Sequence, residues 1–261
     1  MADNQIKKII KKLQSEDKYL SGIYNYCDRW CERCAFTDRC LTYSTMQDYP
    51  YDQEENGEEI EDIMNSVLYM FKDMIEFLKE EAVKRGIDLN EPIDLSVYKE
   101  AESKAESHPL GNRAYEYFEL VHDWFESREE LMSKKGSEFV QFAELGFDEE
   151  KIENNLRIFQ DAVETIQWYF TMIRVKIIRA LRTKFESELD DLEINFEQVN
   201  TSAKIALIGC EKSLSAWQTL YEQFSEDEDK ILQILSCLDG LRKDIMVTFP
   251  DVTSFKRPYF D

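Results

Sequence analysis

The sequence predicts an all-α protein, a single bundle-like domain of about five to six mostly antiparallel long helices. Glycine and proline are scarce, with 8 and 5 among the 261 residues, so the chain lacks the turn residues on which a β-rich protein depends. Several long stretches repeat their apolar residues at alternating steps of four and three, which is the spacing of one helix face. With 43% hydrophobic residues, the chain can bury a substantial core.

The acidic composition excludes some classes of function. The chain has 32 basic and 54 acidic residues, which gives a formal net charge of −22 at pH 7. Because this charge repels phosphate groups, we expect neither a nucleic-acid partner nor an anionic membrane as a partner. No apolar run approaches the roughly 18 residues of a membrane-spanning helix, and the N-terminus lacks the apolar core of a signal peptide. The sequence therefore predicts a cytoplasmic protein in a reducing compartment.

The first predicted helix runs from residue 3 to about residue 35 and carries cysteines at its C-terminal end. Cys27, Cys31 and Cys34 are spaced i, i+4 and i+7, so they fall on one face of this helix. Cys40 follows after a predicted turn and is expected to fold back over these three thiols. The N-terminal helix and the cysteine cluster together occupy residues 1–40 in this prediction.

Four of the six cysteines lie within fourteen residues, and this clustering is the main functional signal in the sequence. In a chain with no secretory signal, clustered thiols favour metal binding over disulfide bonds. The alternative is a helix in which cysteine packs as a small apolar residue, where Val or Ala would also serve. The sequence predicts a metal or iron–sulfur centre with a structural, redox or sensing role, bound by Cys27, Cys31, Cys34 and Cys40.

The spacing of the thiols favours an iron–sulfur cluster over zinc as the cofactor. Zinc sites usually combine two Cys-x-x-Cys units around bonds of about 2.3 Å, whereas this segment has one such unit, Cys31 to Cys34. Three thiolates spread over two turns of a helix lie too far apart to bind one zinc ion unless the helix unwinds. A [4Fe–4S] cluster accepts wider separations and is usually held by four cysteines. Zinc stays open as the second possibility.

A long helical bundle is predicted for residues 58–248, after an acidic loop over residues 41–57. Its first helix runs from about Glu58 to Arg85, and a short helix follows from Ser96 to Ser107. The apolar positions of the first of these helices alternate in steps of four and three: Ile60, Met64, Val67, Phe71, Met74 and Leu78.

The next helix, from about Asn112 to Ser133, contains a Glu-x-x-His pair formed by Glu119 and His122. In ferritin-like di-iron proteins such a pair projects into the bundle core and binds metal, which makes a carboxylate and histidine metal enzyme an alternative function. Both residues, however, fall towards the polar side of the helix, and the sequence has no second pair. The predicted apolar face consists of Ala114, Phe118, Val121, Phe125 and Met132.

The longest helix is predicted to begin after Asp148 and to end near residue 189. Its apolar seam alternates steps of four and three from Ile152 to Leu181, and a second apolar stripe widens its buried surface. A helix of this kind is contacted on more than one side, so we expect it to be central.

Two further helices are predicted, from about Phe196 to Phe224 and from about Asp227 to Thr248. The first has small residues at steps of three and four, which predict close approach to a neighbouring helix: Ala203, Ala206, Cys210 and Ser213. We expect Cys210 and Cys237 to be packed core residues rather than metal ligands.

The last segment, residues 249–261, is predicted to be an extended tail whose aromatic residues dock on the bundle. If they instead contacted another molecule, the chain would be a metal-free helical protein-interaction scaffold, which is the third functional alternative. The wide apolar stripes also leave a homodimer or another protein partner open.

Overall fold

The computed structural model describes residues 18–47, 95–128, 149–189 and 195–261, with residue 68 and short pieces between residues 71 and 86. Within these residues the regular structure is helical and no β-strand occurs, so the predicted all-α class is confirmed. Internal contacts group the chain into two compact units. The N-terminal unit contains the described residues of 18–25 and 29–86, and the helical unit contains residues 26–28 and the described residues from 95 onwards. The prediction of one domain stays a prediction.

The predicted N-terminal helix is wrong for its described part, because residues 18–40 form short turns. The turns are 3-10 helices at Ile23–Asn25, Cys31–Arg33 and Thr37–Arg39. A short helix α1 follows at Leu41–Gln47, in the place of the first residues of the predicted loop. Residues 3–17 of the predicted helix and residues 48–57 of the predicted loop lie outside the described residues.

The backbone of this segment shows why an α-helix does not form. Gly22 and Arg29 have φ angles of 68° and 60°, which belong to the left-handed region and are incompatible with a continuous right-handed helix. The Leu20 N–H donates to the carbonyl oxygen of Arg39 at 3.0 Å. The segment thus closes on itself through a non-local hydrogen bond instead of the bonds between every fourth residue.

Each described residue from 68 to 84 is helical, in the range predicted for the second helix. Of the predicted seam, Phe71 and Leu78 are described, and both are exposed. The other seam positions lie outside the described residues: Ile60, Met64, Val67 and Met74.

The helical unit contains five helices within its described residues. They are α2 at Ser96–Ser107, α3 at Pro109–Glu126, α4 at Glu149–Leu189, α5 at Phe196–Gln223 and α6 at Glu228–Thr248. Helix α4 packs along α5, α2 and α3 pack against α4, and α6 packs against α3 and α5. Among the described residues, no helix combines the length and the apolar character that crossing a membrane requires.

Local sequence signals define where two of these helices begin. The Nδ1 atom of His108 accepts a hydrogen bond from the Leu110 N–H at 3.1 Å, and Pro109 occupies the first position of α3. Asn195 accepts a hydrogen bond from the Gln198 N–H at 3.0 Å and caps α5. Caps of this kind satisfy backbone donors that the first helical turn leaves open.

The core of the helical unit includes a close approach of α4 and α5. The small residues of α5 are buried, as are Tyr169, Ile173 and Ile177 of α4. A Cβ atom built on Gly209 would lie 2.9 Å from side-chain atoms of both Tyr169 and Ile173. The small residues therefore serve helix packing, as the sequence indicates.

We expect Gly209→Ala to lower the free energy of unfolding of the helical unit by about 1–3 kcal/mol, the usual cost of overpacking a core. Chemical denaturation followed by circular dichroism measures this change. Gly240→Ala in α6 is the matched control, since the nearest atom to its Cβ would belong to the flexible Arg113 side chain, at 3.4 Å. The control should be neutral or slightly stabilising, because alanine favours helix. Equal stabilities for both variants would contradict the close packing.

The buried face of α3 differs from the predicted face. Tyr117 and Trp124 are buried, whereas Phe118 and Phe125 are only partly buried. The rings of Trp124 and Trp217 pack edge to face with centroids 5.1 Å apart. The predicted face includes Ala114 and Val121, which are buried, but leaves out Tyr117 and Trp124, whose large rings fill the core and rotate the buried face. Met132 lies outside the described residues.

Arg128 and Asp227 form an ion pair between the end of α3 and the start of α6. An Arg128 guanidinium N–H donates to an Asp227 carboxylate oxygen at 2.6 Å, and the Asp227 side chain is only 4% exposed. Hydrogen bonding by Arg128 is the main cause of a lowered pKa for Asp227. The pair therefore favours the charged carboxylate in the folded protein.

We expect Asp227→Asn to lower the free energy of unfolding at pH 7 by about 2 kcal/mol. In the folded protein the pKa of Asp227 lies below its ordinary value of 3.8. The ion pair therefore contributes its full stability above pH 3.8, and this stability is lost as the pH falls through the lower pKa of the folded protein. Denaturation of both proteins from pH 7 to pH 2 tests this. Asp239→Asn, which breaks an exposed pair with Lys243, should have a much smaller effect. If the difference in free energy of unfolding between the natural chain and Asp227→Asn did not change with pH, the ion pair would not be the cause of it.

The C-terminal segment is partly turned rather than extended. A 3-10 helix spans Pro250–Val252, and Phe249 and Val252 are buried. The Lys204 ammonium donates to the carbonyl oxygen of Thr253 at 3.2 Å, which ties the segment to α5.

Candidate metal centre

Three of the predicted ligands lie on successive short turns of the N-terminal unit. Cys31 begins the first turn, and the Cys34 N–H donates to the carbonyl oxygen of Cys31 at 3.1 Å. Cys40 ends the next turn and precedes α1. All three side chains are partly exposed. The predicted arrangement on one helix face is wrong, because the backbone of these residues is turned, with Cys34 itself extended.

The Cys34 sulfur accepts a hydrogen bond from the backbone N–H of Phe36, with 3.4 Å between the two atoms. A donor two residues after a cysteine stabilises negative charge on its sulfur, as hydrogen bonds to thiolate ligands do around metal centres. This backbone arrangement suits a thiolate ligand, although it also occurs in turns without a metal.

Close grouping of the three sulfurs is not found in the N-terminal unit. Within its described residues, the sulfurs of Cys31, Cys34 and Cys40 do not all lie within 4.8 Å of one another. Bonds of about 2.3 Å in a tetrahedral zinc site would bring thiolates to roughly 4 Å from each other. The turns thus present three thiols on neighbouring stretches of chain, without the spacing of a closed zinc site.

Cys27, the fourth predicted ligand, belongs to the helical unit. It is the central residue of the tripeptide Tyr26–Asp28, which we call the anchor segment. On one side of Cys27, the Tyr26 hydroxyl donates to the Glu197 carboxylate, and the Arg257 guanidinium donates to the Tyr26 carbonyl oxygen at 3.5 Å. The backbone of this cysteine is therefore attached to α5 and the C-terminal segment through its neighbour.

The hydrogen bond to Glu197 also fixes the protonation of Tyr26. It is the largest cause of a raised pKa for the Tyr26 hydroxyl, because an ionised tyrosine would lose this bond to a carboxylate. Tyr26 thus stays a hydrogen-bond donor at neutral pH.

The two remaining cysteines are thiols of the helical unit. Burial raises the pKa of Cys210, which is fully buried, and raises that of Cys237 to about 11. Both stay protonated at neutral pH, whereas metal ligation requires a thiolate. Their surroundings fit the predicted packing role and make them useful control positions.

The alternative Glu-x-x-His site does not have a core position. The His122 side chain is 53% exposed, and its ring stacks on Phe118 with centroids 6.0 Å apart. Among the described residues, a group of three possible ligands within 4.8 Å is formed by His122, Asp123 and Glu126, all exposed. Glu119 is not part of this group. Exposed acidic groups of this kind are common on proteins without a bound metal.

Comparisons with models of protein families, with curated proteins and with solved structures gave no match. The function must therefore be inferred from the residues of this chain. Its most distinctive chemistry is the set of four thiols between residues 27 and 40, of which three follow each other on short turns.

Proposed function

We propose that the chain binds an iron–sulfur cluster, or zinc as the alternative, through Cys27, Cys31, Cys34 and Cys40. The observation that carries the proposal is the clustering of four thiols within fourteen residues. Cys27 is included because of its spacing in the sequence. Cys31, Cys34 and Cys40 are included because of their spacing and because they lie on successive turns. The centre would have a structural, redox or sensing role.

The chemistry of the segment supports a thiolate centre. Four cysteines are the usual ligands of cubic iron–sulfur clusters, and their thiolates carry negative charge that backbone N–H groups offset. The Phe36 N–H already contacts the Cys34 sulfur in this way. Cys31, Cys34 and Cys40 are also only partly buried, unlike Cys210 in the core of the helical unit.

The choice between iron–sulfur and zinc depends on two observations. The turned backbone removes one argument against zinc, because no helix has to unwind around the ion. The single Cys-x-x-Cys unit supports the larger cluster, which accepts greater distances between thiolates. The three described sulfurs do not all lie within 4.8 Å of one another, so they lack the closer spacing of a zinc site. We therefore keep the iron–sulfur cluster as the first choice.

The setting we propose is a reducing compartment, the cytoplasm, in which free thiols persist. The net charge of −22 supports a function without a nucleic-acid partner. We further propose that the helices form a mostly antiparallel bundle, which the short connection between the packed helices α5 and α6 supports. We also propose that a homodimer or a protein partner uses the apolar surface that the bundle leaves exposed.

Anaerobic purification of the full-length chain tests the proposed function, with an absorbance spectrum and iron, sulfide and zinc analysis on the same sample. Several irons with matching sulfide and a brown colour are the expected result. One zinc per chain without colour would replace the cluster by a zinc centre. A chain without metal would overturn the proposal and favour the interaction scaffold.

A further inference from the structure

The anchor segment is fixed most strongly at Asp28, directly after Cys27. The Trp168 indole N–H donates to the Asp28 carbonyl oxygen at 3.1 Å, and the Tyr169 hydroxyl donates to the Asp28 carboxylate. The Lys212 ammonium donates to the Tyr169 hydroxyl at 3.0 Å and lies 3.9 Å from an Asp28 carboxylate oxygen. Residues of both α4 and α5 thus bind Asp28.

The hydrogen bonds to the Asp28 side chain start from Tyr169, a residue in the core of the helical unit. Tyr169 is fully buried, whereas the Asp28 side chain is 23% exposed. A buried tyrosine needs a partner for its hydroxyl group, and a carboxylate is a strong acceptor. Tyr169 therefore directs Asp28, and with it the backbone of Cys27, to one place on the helical unit.

We infer that Asp28 and Tyr169 are positioning residues that hold Cys27 for metal binding, an inference that rests on the proposed function. A ligand whose backbone is already fixed on both sides loses less conformational freedom when it binds a metal. Glu197 and Arg257 fix the side of Tyr26, and Tyr169 and Trp168 fix the side of Asp28. Neither Asp28 nor Tyr169 needs to contact the metal for this role.

The inference predicts that Asp28→Ala and Tyr169→Phe lose their metal about tenfold faster than the natural chain, in line with the lower end of the loss of affinity seen when residues that orient metal ligands are replaced. The experiment uses the full-length chain, purified anaerobically and dialysed against EDTA. Iron and zinc are measured in each sample over time, and the thermal unfolding midpoint is measured in parallel. The two variants should lose metal faster at temperatures where they remain folded.

Two control variants separate positioning from a general loss of stability. Tyr221→Phe removes another hydrogen bond from a tyrosine to a carboxylate, that of Tyr221 with Glu228, far along the chain from the anchor segment. Ile245→Val removes a methyl group from the core and lowers stability without touching Asp28 or Tyr169. Both controls should retain metal as the natural chain does.

The outcomes distinguish this inference from the proposed function. If Cys27→Ser loses metal while Asp28→Ala and Tyr169→Phe retain it as well as the controls, the positioning role is wrong and the metal centre stands. If Cys27→Ser also retains its metal, Cys27 is not a ligand and the positioning role is overturned. A natural chain that contains no iron or zinc overturns both.

Discussion

Serine in place of both Cys31 and Cys34 should leave the full-length chain with less than about a tenth of its metal. The two residues form the one Cys-x-x-Cys unit of the segment, and serine does not supply the thiolate that these metals prefer. Loss of two of four ligands leaves too few to hold either a cluster or a zinc ion. Iron, sulfide and zinc per chain, measured after anaerobic purification, give the result directly.

The matched control replaces Cys210 and Cys237 by serine, which removes the same number of thiols from the helical unit. Burial keeps these two thiols protonated, so their loss should leave the metal content unchanged, although it removes packed sulfur atoms and lowers stability. Equal metal content in the Cys31 and Cys34 variant and in the natural chain would contradict the proposed centre.

Alanine in place of Trp217 should lower the free energy of unfolding of the helical unit by about 4 kcal/mol, near the upper end for a single core substitution. The Trp217 side chain is fully buried on α5. Its ring packs edge to face against Trp124, and its indole N–H donates to the Tyr117 hydroxyl at 3.4 Å. Truncation would leave a cavity between α3 and α5 and would remove a hydrogen-bond donor from the buried Tyr117 hydroxyl group.

Denaturation by urea, followed by circular dichroism, measures the loss for Trp217→Ala. Val247→Ala is the control because Val247 is 82% exposed, and surface substitutions of this kind change stability by no more than about 0.5 kcal/mol. A loss below about 1 kcal/mol for Trp217→Ala would show that the aromatic cluster is not part of the folded core.

The sequence predicts the long helices well, because their apolar residues keep a steady spacing over many turns. Helix α4 spans residues 149–189 as predicted, and α2 begins and ends at the predicted residues. The pattern is less informative for the buried face of α3, because aromatic residues lie on several sides of that helix. Spacing alone does not show that Tyr117 and Trp124, rather than Phe118 and Phe125, are the buried rings of α3.

The residues of the candidate centre could be found from the sequence, but their backbone could not. Steps of four and three between Cys27, Cys31 and Cys34 match a helix, yet the positive φ angles of Gly22 and Arg29 have no counterpart in that pattern. The attachment of the anchor segment was missed entirely. Asp28 and Tyr169 are separated by 141 residues, and a pair so far apart leaves no local signal in a single sequence.

X-ray absorption spectroscopy of the anaerobically purified chain, at the edge of whichever metal it contains, tests the central claim most directly. The proposed centre predicts sulfur neighbours at about 2.3 Å from the metal, with iron neighbours as well if the centre is a cluster. A first shell of oxygen and nitrogen alone would contradict it and would point to a carboxylate and histidine site such as one including Glu119 or His122.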